Sequence, residues 1–264
     1  MAALAGMLSL LLGACAQMPR PEDEVARESG MRSEEVVGTH FRHRVYTRAS
    51  VALGRSVHVY LEGDGTPWST PFRVASDPSP HDPLALRMMS LDMARVVYVG
   101  RPCYHGMRED AGCSAELWTD GRYSERVVDS MQAAIGRIVT LDDQVTLIGY
   151  SGGGVLAVLL AERMANVKAV VTLAANLDLA AWTGLHGYTP LRSSLDPATR
   201  APLAASIRQL HVAGGVDAEV PAWITHRFAT RQARAEVRIL ADADHRCCWI
   251  EAWRNIVATG QAWQ

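Results

Sequence analysis

Short apolar segments alternate with segments of helical periodicity through most of this 264-residue chain. The pattern predicts strands at residues 58–61, 95–100, 145–149, 167–173, 209–213 and 237–241, and helices at 124–139, 153–164, 223–233 and 249–259. Short buried strands that alternate with helices form a mostly parallel sheet covered on both faces. Alternating, β-branched runs at 36–46 and 51–61 predict an opening antiparallel hairpin or meander. No glycine- or proline-rich linker interrupts this order, so we expect one α/β domain over residues 36–264.

The composition excludes some classes of partner. Hydrophobic residues make up 48% of the chain and charged residues 20%, which is typical of a globular protein with a substantial core. The formal net charge of −2 gives no basic field that would attract nucleic acid, so we expect no nucleic-acid partner. No histidine-rich or Cys-x-x-Cys cluster indicates a metal site, and the adjacent Cys247 and Cys248 cannot readily surround one tetrahedral ion.

The first fourteen residues carry no charge and end at Cys15. This apolar run is too short to span a bilayer, and its small terminal residues are typical of an export signal. The ending Leu-Gly-Ala-Cys resembles the lipobox of bacterial lipoproteins, although no basic residue precedes the run. That resemblance implies lipidation of Cys15, a polar tether over residues 15–35, and a location in the cell envelope facing the periplasm. The alternative is a buried N-terminal helix.

The other four cysteines form an even set, which in an exported chain suggests disulfides. Cys103 and Cys113 bracket one short loop, so we expect them to pair. Cys247 and Cys248 then form either an adjacent pair or two thiols. Cross-pairing between the two loops is the alternative.

The strand at 145–149 runs directly into Gly149-Tyr150-Ser151-Gly152-Gly153, which fits G-x-S-x-G. In this motif a serine on a strained strand-to-helix turn projects its hydroxyl outward, and only small neighbours fit around it. The strand before and the helix after provide the required context, so we predict a nucleophilic serine at position 151. The alternative is a glycine-rich turn that packs a helix closely on its strand.

A serine hydroxyl needs a base, and in folds with this motif the order is serine, acid, histidine. His245 follows the last predicted strand and is the predicted base. The other three histidines beyond the serine lie in less suitable places: His186 in an aperiodic segment, His211 within a strand and His226 within a helix.

Two carboxylates are candidates for the acid. Asp217 follows the penultimate strand and leaves room for one strand-helix unit before the histidine, so we favour it. Asp178 follows the preceding strand and is the alternative acid; otherwise it holds a lid or caps a helix. Asp242 and Asp244 lie too close to His245 in sequence and are expected to be turn residues.

The oxyanion of an acyl-transfer reaction requires backbone donors. One is the amide of Gly152, directly after the serine, and the other comes from the loop after an early strand. That loop is Glu-Gly-Asp-Gly at 62–65, in which Asp64 would donate through its N–H while its carboxylate points away and pins the loop. An ordinary Asp-Gly turn is the alternative.

Together these four elements, EGDG, GYSGG, GGVDAEVP and DADHRCCW, resemble the α/β-hydrolase superfamily from about residue 36 onward. The chain also looks like exported, lipoprotein-type members that carry Arg101-Pro102-Cys103 after the fourth strand. The resemblance implies a serine hydrolase without metal or organic cofactor.

We therefore expect a carboxylesterase-like enzyme that cleaves an ester, or a related acyl bond, of a small molecule through an acyl-enzyme. Thioesters, amides and transfer to an alcohol remain open. An inactive membrane-tethered binding or scaffold protein and an exopeptidase are the alternatives. A lid is expected over residues 176–202, and five aromatic residues are expected either to border the pocket or to pack the lid: Trp68, Tyr104, Trp118, Trp182 and Tyr188.

Overall fold

The computed structural model describes residues 19–48 and 54–259. The predicted signal segment 1–14 and Cys15 lie outside the described residues. The strands are β1 (Arg32–Val37), β2 (Arg42–Thr47), β3 (Ser56–Leu61), β4 (Trp68–Thr70), β5 (Arg73–Val74), β6 (Arg95–Val99), β7 (Gln144–Tyr150), β8 (Val167–Leu173), β9 (Arg208–Gly214) and β10 (Ala235–Leu240). The helices are α1 (Pro21–Glu28), α2 (Leu84–Ser90), α3 (Glu125–Ile135), α4 (Gly152–Ala161), α5 (Leu179–His186), α6 (Ala222–Ala229) and α7 (Trp249–Thr259).

Eight strands form the central sheet in the order β1-β2-β6-β3-β7-β8-β9-β10. The pairs from β6 to β10 are all parallel, whereas β1 and β2 add an antiparallel edge. This mostly parallel sheet between helices confirms the predicted fold class. Because the parallel strands end at one edge, the loops after β3, β6, β7, β9 and β10 come together there.

Along β3, successive buried side chains point alternately to the two faces of the sheet. Val57, Val59 and Leu61 belong to one hydrophobic cluster, which also contains most of the buried apolar side chains of α3 and α4. Tyr60 belongs to the other, with α2 and the fully buried indoles of Trp249 and Trp253 on α7. Successive strand residues point to opposite faces, so one strand contributes to both halves of the core.

The opening of the chain differs from the prediction in two ways. β3 is not part of an opening meander, because it lies between β6 and β7 and is parallel to both. Its residues from Val57 to Leu61 are all buried, which suits a strand in the interior of a sheet that is covered on both faces. The segment assigned to a polar tether, 15–35, is also folded from residue 21 onward. It forms α1 and most of β1, and it buries Glu22 and Ala26. The folded domain therefore begins before residue 36.

The segment expected to be a lid contains α5 and a 3₁₀ turn at Pro197–Thr199. Its Trp182 packs in a small cluster with Val220 and Ile224. Among the described residues, no helix has the length and apolar character needed to cross a bilayer.

Candidate active site

Ser151 occupies the turn between β7 and α4 with φ 50° and ψ −123°. A positive φ is costly for a residue with a side chain, and such strain is found where a turn must present one side chain. The turn is tightly enclosed: a Cβ on Gly153 would lie 2.1 Å from the carbonyl oxygen of Leu61. Gly153, two residues after the serine, therefore allows α4 to approach the end of β3.

Three side chains from separate loops lie in one hydrogen-bonded series. The hydroxyl oxygen of Ser151 is 3.1 Å from Nε2 of His245, and Nδ1 of His245 is 2.9 Å from Oδ2 of Asp217. The side chain of His245 is 20% exposed, while that of Asp217 is fully buried. The second oxygen of Asp217 accepts hydrogen bonds from the amides of Glu219 and Val220, at 2.9 and 2.8 Å. These two hydrogen bonds fix the orientation of the Asp217 carboxylate toward the imidazole.

The loop that carries His245 is held by Tyr150, which the sequence placed in the serine turn without this role, and by Trp249, which the sequence assigned only to a helix. The Tyr150 hydroxyl donates to the carbonyl oxygen of His245 at 2.6 Å, and the Trp249 indole N–H donates to the same oxygen at 3.0 Å. Tyr150 directly precedes Ser151. It therefore links the turn of the serine to the backbone of the histidine.

The other candidate acids and bases lie elsewhere. Asp178 caps α5 by accepting from the amide of Ala181, and its other oxygen pairs with Arg227 at 3.2 Å. Asp244 accepts from two amides of its own turn, Arg246 and Cys247, at 2.7 and 2.6 Å.

None of the three other histidines beyond Ser151 has a hydrogen bond to the serine among the contacts of the described residues. His211 is buried beside Thr172, and burial lowers its pKa to about 4. His186 contacts the carbonyl oxygen of Glu219 at 2.7 Å, and His226 is exposed on α6.

The loop after β3 lies directly against the serine. A Cβ on Gly63 would lie 3.3 Å from the Ser151 Cβ, and one on Gly152 would lie 2.0 Å from Oδ1 of Asp64. The amide of Gly152 is at the first position of α4, where backbone N–H groups have no partner within the helix. The two predicted oxyanion donors therefore come from neighbouring segments of backbone.

The Asp64 carboxylate lies in a charged cluster with two buried arginines. Arg101 donates to Oδ1, while the guanidinium of Arg122 and the hydroxyl of Tyr123 donate to Oδ2 at 2.8 and 2.7 Å. The Tyr104 hydroxyl binds the backbone carbonyl oxygen of Asp64 at 2.9 Å. Burial by itself would raise the pKa of Asp64, but Arg122 and Arg101 lower it to about 2. The carboxylate is consequently ionised and pins the loop, with its charge matched by two cations.

Glu62 holds the start of the same loop. Its two oxygens accept from the amides of Gly63 and Ala85 at 3.1 and 3.0 Å, and burial raises its pKa to about 8. The loop is thus tied to α2 on one side and to Arg101 and Arg122 on the other.

Of the five aromatic residues expected near the pocket, three are buried and bind backbone. Tyr104 contacts Asp64, Trp118 donates to the carbonyl oxygen of Ala75, and Trp182 donates to that of Glu219. Trp68 and Tyr188 are 44% and 47% exposed.

The expected pair Cys103–Cys113 is a disulfide in the structure. Cys247 and Cys248, for which the sequence left an adjacent pair or two thiols open, are also joined by a disulfide. No group of three or more His, Cys, Asp or Glu side chains in the described part of the chain could hold a metal ion. Two surface cavities of about 480 and 300 Å³ are lined by residues other than Ser151, Asp217 and His245.

The strand order and the strained serine turn at the carboxyl edge define an α/β-hydrolase fold. The family described as the dienelactone hydrolase family matches residues 97–251, more than half of the chain, and the protein belongs to that family. No curated protein matches the chain significantly.

Solved structures share this fold at low sequence identity. A putative hydrolase from Agrobacterium vitis is 15% identical, with a TM-score of 0.62 over 87% of this chain and 98% of its own. A Xanthomonas campestris α/β serine hydrolase described as lacking a lid is 14% identical, with a TM-score of 0.56 over 87% and 93%. An esterase from Pyrococcus furiosus is 13% identical, with a TM-score of 0.57 over 90% and 91%.

Proposed function

We propose that this protein is a serine hydrolase that cleaves an ester, or a closely related acyl bond, of a small molecule. The observation that carries the proposal is the continuous series from Asp217 through His245 to Ser151, with both hydrogen-bonding distances near 3 Å. Membership of the dienelactone hydrolase family and the likeness to a Pyrococcus furiosus esterase support the same class of reaction.

In the proposed mechanism, the Ser151 oxygen attacks the acyl carbonyl carbon while its proton passes to Nε2 of His245. Asp217 accepts from Nδ1–H, which keeps Nε2 free to act as the base and stabilises the imidazolium. The amides of Gly152 and Asp64 donate to the oxyanion. His245 then gives its proton to the leaving alcohol, and an acyl-enzyme remains on Ser151. Water attacks this ester in the second half, with His245 again taking and returning the proton.

A fluorophosphonate probe tests the activated serine directly, because it reacts only with a serine whose proton has an acceptor. We expect labelling of the purified protein at Ser151, identified by mass spectrometry, and hydrolysis of a nitrophenyl acetate. Ser151→Ala should lose both while keeping its thermal midpoint, and Ser69→Ala, at an exposed serine of the β4–β5 hairpin, should keep both. A folded wild-type protein that is neither labelled nor active would favour the inactive scaffold.

We also propose that the chain is exported to the cell envelope and attached to a membrane by lipid at Cys15, facing the periplasm. The support is the Leu-Gly-Ala-Cys sequence after an uncharged apolar run, together with four cysteines paired as disulfides. An alkyne-tagged fatty acid fed to expressing cells should appear on the wild-type protein and not on Cys15→Ser. Equal incorporation in both would contradict lipidation at this residue.

A further inference from the structure

The described chain begins at the edge of the sheet that carries the candidate active site. Arg20 donates to the carbonyl oxygen of His105, and Glu22 accepts from Nδ1 of the same histidine at 3.0 Å. His105 lies in the loop after β6, and its neighbour Tyr104 binds the backbone of Asp64. A short series of contacts therefore joins the N-terminal residues to the loop beside Ser151.

A small hairpin projects from the same edge. The hairpin of β4 and β5 begins at Trp68, four residues beyond Asp64, and every residue from 68 to 73 is exposed. Phe72, at the turn, is 95% exposed, and Trp68 is 44% exposed. The base of the hairpin is held to the domain, because the Trp118 indole donates to the carbonyl oxygen of Ala75 at 3.2 Å. The hairpin therefore presents its apolar tip outward from an anchored base.

The chemistry of this tip suits a lipid surface better than water. Residues 65–76 contain no carboxylate, one cation at Arg73, and two large aromatic side chains. Tryptophan favours the bilayer interface, phenylalanine gains by leaving water, and an exposed arginine attracts anionic headgroups. At this exposure Phe72 contributes nothing to the core of the domain, and contact with a lipid surface would remove its ring from water.

The length of the N-terminal link adds an independent constraint. Arg20 follows Cys15 by five positions, and a fully extended chain spans at most about 18 Å over five residue steps. A lipid attached at Cys15 would therefore hold the bilayer within this reach of Arg20, and Arg20 contacts the edge of the sheet from which the hairpin projects.

We propose that the tip of the β4–β5 hairpin rests on the surface of the bilayer to which Cys15 attaches the chain. The carboxyl edge of the sheet, with Ser151, then faces the membrane, and acyl substrates reach the site from the lipid phase. The inference rests on the proposed anchoring at Cys15. The orientation does not depend on whether Ser151 is catalytic, whereas the route of acyl substrates from the lipid phase rests on the proposed hydrolase.

The test uses tryptophan placed at two exposed apolar positions at opposite edges of the sheet. Phe72→Trp reports on the hairpin, and Leu141→Trp reports on the loop before β7, where Leu141 is 85% exposed. Both lipidated full-length proteins are reconstituted in vesicles of phosphatidylcholine and phosphatidylglycerol with brominated acyl chains. The tryptophan emission added by each substitution is measured against wild type.

We expect the emission added by Phe72→Trp to be largely quenched and shifted to the blue, whereas that added by Leu141→Trp stays unquenched. Equal quenching at the two positions, or none at Phe72→Trp, would overturn the proposed orientation. Flotation of the wild-type protein with the vesicles tests the anchoring, and protein left unbound would overturn both anchoring and orientation. Hydrolysis of a soluble nitrophenyl ester by the same samples tests the hydrolase separately: quenching without hydrolysis would leave the orientation standing and remove the enzyme.

Discussion

At the scale of single residues, Asp217 and Asp178 show how similar carboxylates receive different tasks. Asp217 uses one oxygen to contact His245 and the other to accept two amides of its own loop. Asp178 uses its oxygens to cap α5 and to pair with Arg227. The sequence could place both after strands of one sheet edge, but it could not say which side chain turns toward the imidazole.

Replacing these two aspartates by asparagine separates their roles. Asp217→Asn should lower kcat by about 10³–10⁴-fold, because the imidazole loses the acceptor that sets its tautomer. Asp178→Asn should leave kcat within about twofold and slightly lower the thermal midpoint, since an asparagine still caps a helix. Steady-state hydrolysis of one nitrophenyl ester measures both. A comparable loss of kcat in the two variants would contradict this assignment.

The charge of Asp64 should appear in the acid stability of the protein. Its pKa is lowered from the usual 3.8 to about 2, so the folded state favours the ionised form. The stabilisation is therefore complete above about pH 4 and is lost as the pH falls toward 2.

Urea unfolding at pH 5 and pH 3 tests this linkage. We expect the free energy of unfolding of the wild-type protein to fall more between these pH values than that of Asp64→Asn, by about 1–2 kcal/mol. At pH 5 the variant should itself be less stable by about 3–5 kcal/mol, because Arg101 and Arg122 keep buried charges without a carboxylate. Parallel pH dependences in the two proteins would contradict an ionised Asp64.

At the scale of elements, the turn of the serine was the part of the site with the strongest local signal. A strand, a glycine-flanked serine and a helix follow one another within a few residues, so their geometry is determined by neighbours in sequence. The cluster around Asp64 had no such signal, because Arg101 and Arg122 are 37 and 58 residues away along the chain. The sequence predicted only that the Asp64 carboxylate pins its loop, and it indicated neither of the two arginines that bind it.

The two glycines Gly153 and Gly184 allow a matched test of this turn. Gly153→Ala places a methyl group 2.1 Å from the carbonyl oxygen of Leu61 and 2.7 Å from that of Glu62, both of them backbone atoms. We expect a loss of at least about 2 kcal/mol in the free energy of unfolding, with loss of activity. Gly184, within α5, has nothing within 4 Å of such a methyl group.

Gly184→Ala should stabilise the protein by up to about 1 kcal/mol, because alanine restricts the unfolded chain and favours a helix. Urea unfolding compares both variants with wild type. A Gly153→Ala protein as stable and active as wild type would show that α4 does not need to approach β3 this closely.

At the scale of the whole molecule, the alternation of strands and helices was enough to predict the fold class, since parallel strands require crossover helices. The order of strands was not predictable in the same way. β3 inserts between β6 and β7, which come later in the chain, and nothing local to residues 56–61 marks that position. The polar composition of residues 20–35 also gave no indication of helix α1. This helix is stabilised by tertiary contacts, such as that of the buried Glu22 with His105.

The role of residues 19–35 in the fold can be tested by two truncated chains. One begins at Pro19, where the described residues begin, and the other at Val36, where the domain was expected to start. The shorter chain loses the Glu22–His105 pair, the buried Met31 and most of the hydrogen bonds between β1 and β2. Its His105 would remain buried without its carboxylate, and the edge of β2 would be open to solvent.

We therefore expect the chain that begins at Val36 to melt about 10 °C or more below the chain that begins at Pro19. The shorter chain loses several kcal/mol of the free energy of unfolding, and each kcal/mol corresponds to about 2–4 °C in a domain of this size. Circular dichroism melts measure both midpoints. Because His105 is adjacent to Tyr104, which binds the backbone of Asp64, hydrolysis should fall in the shorter chain even below its melting temperature. Equal midpoints would mean that these residues are a tether after all, and that α1 and β1 add nothing to the stability of the sheet.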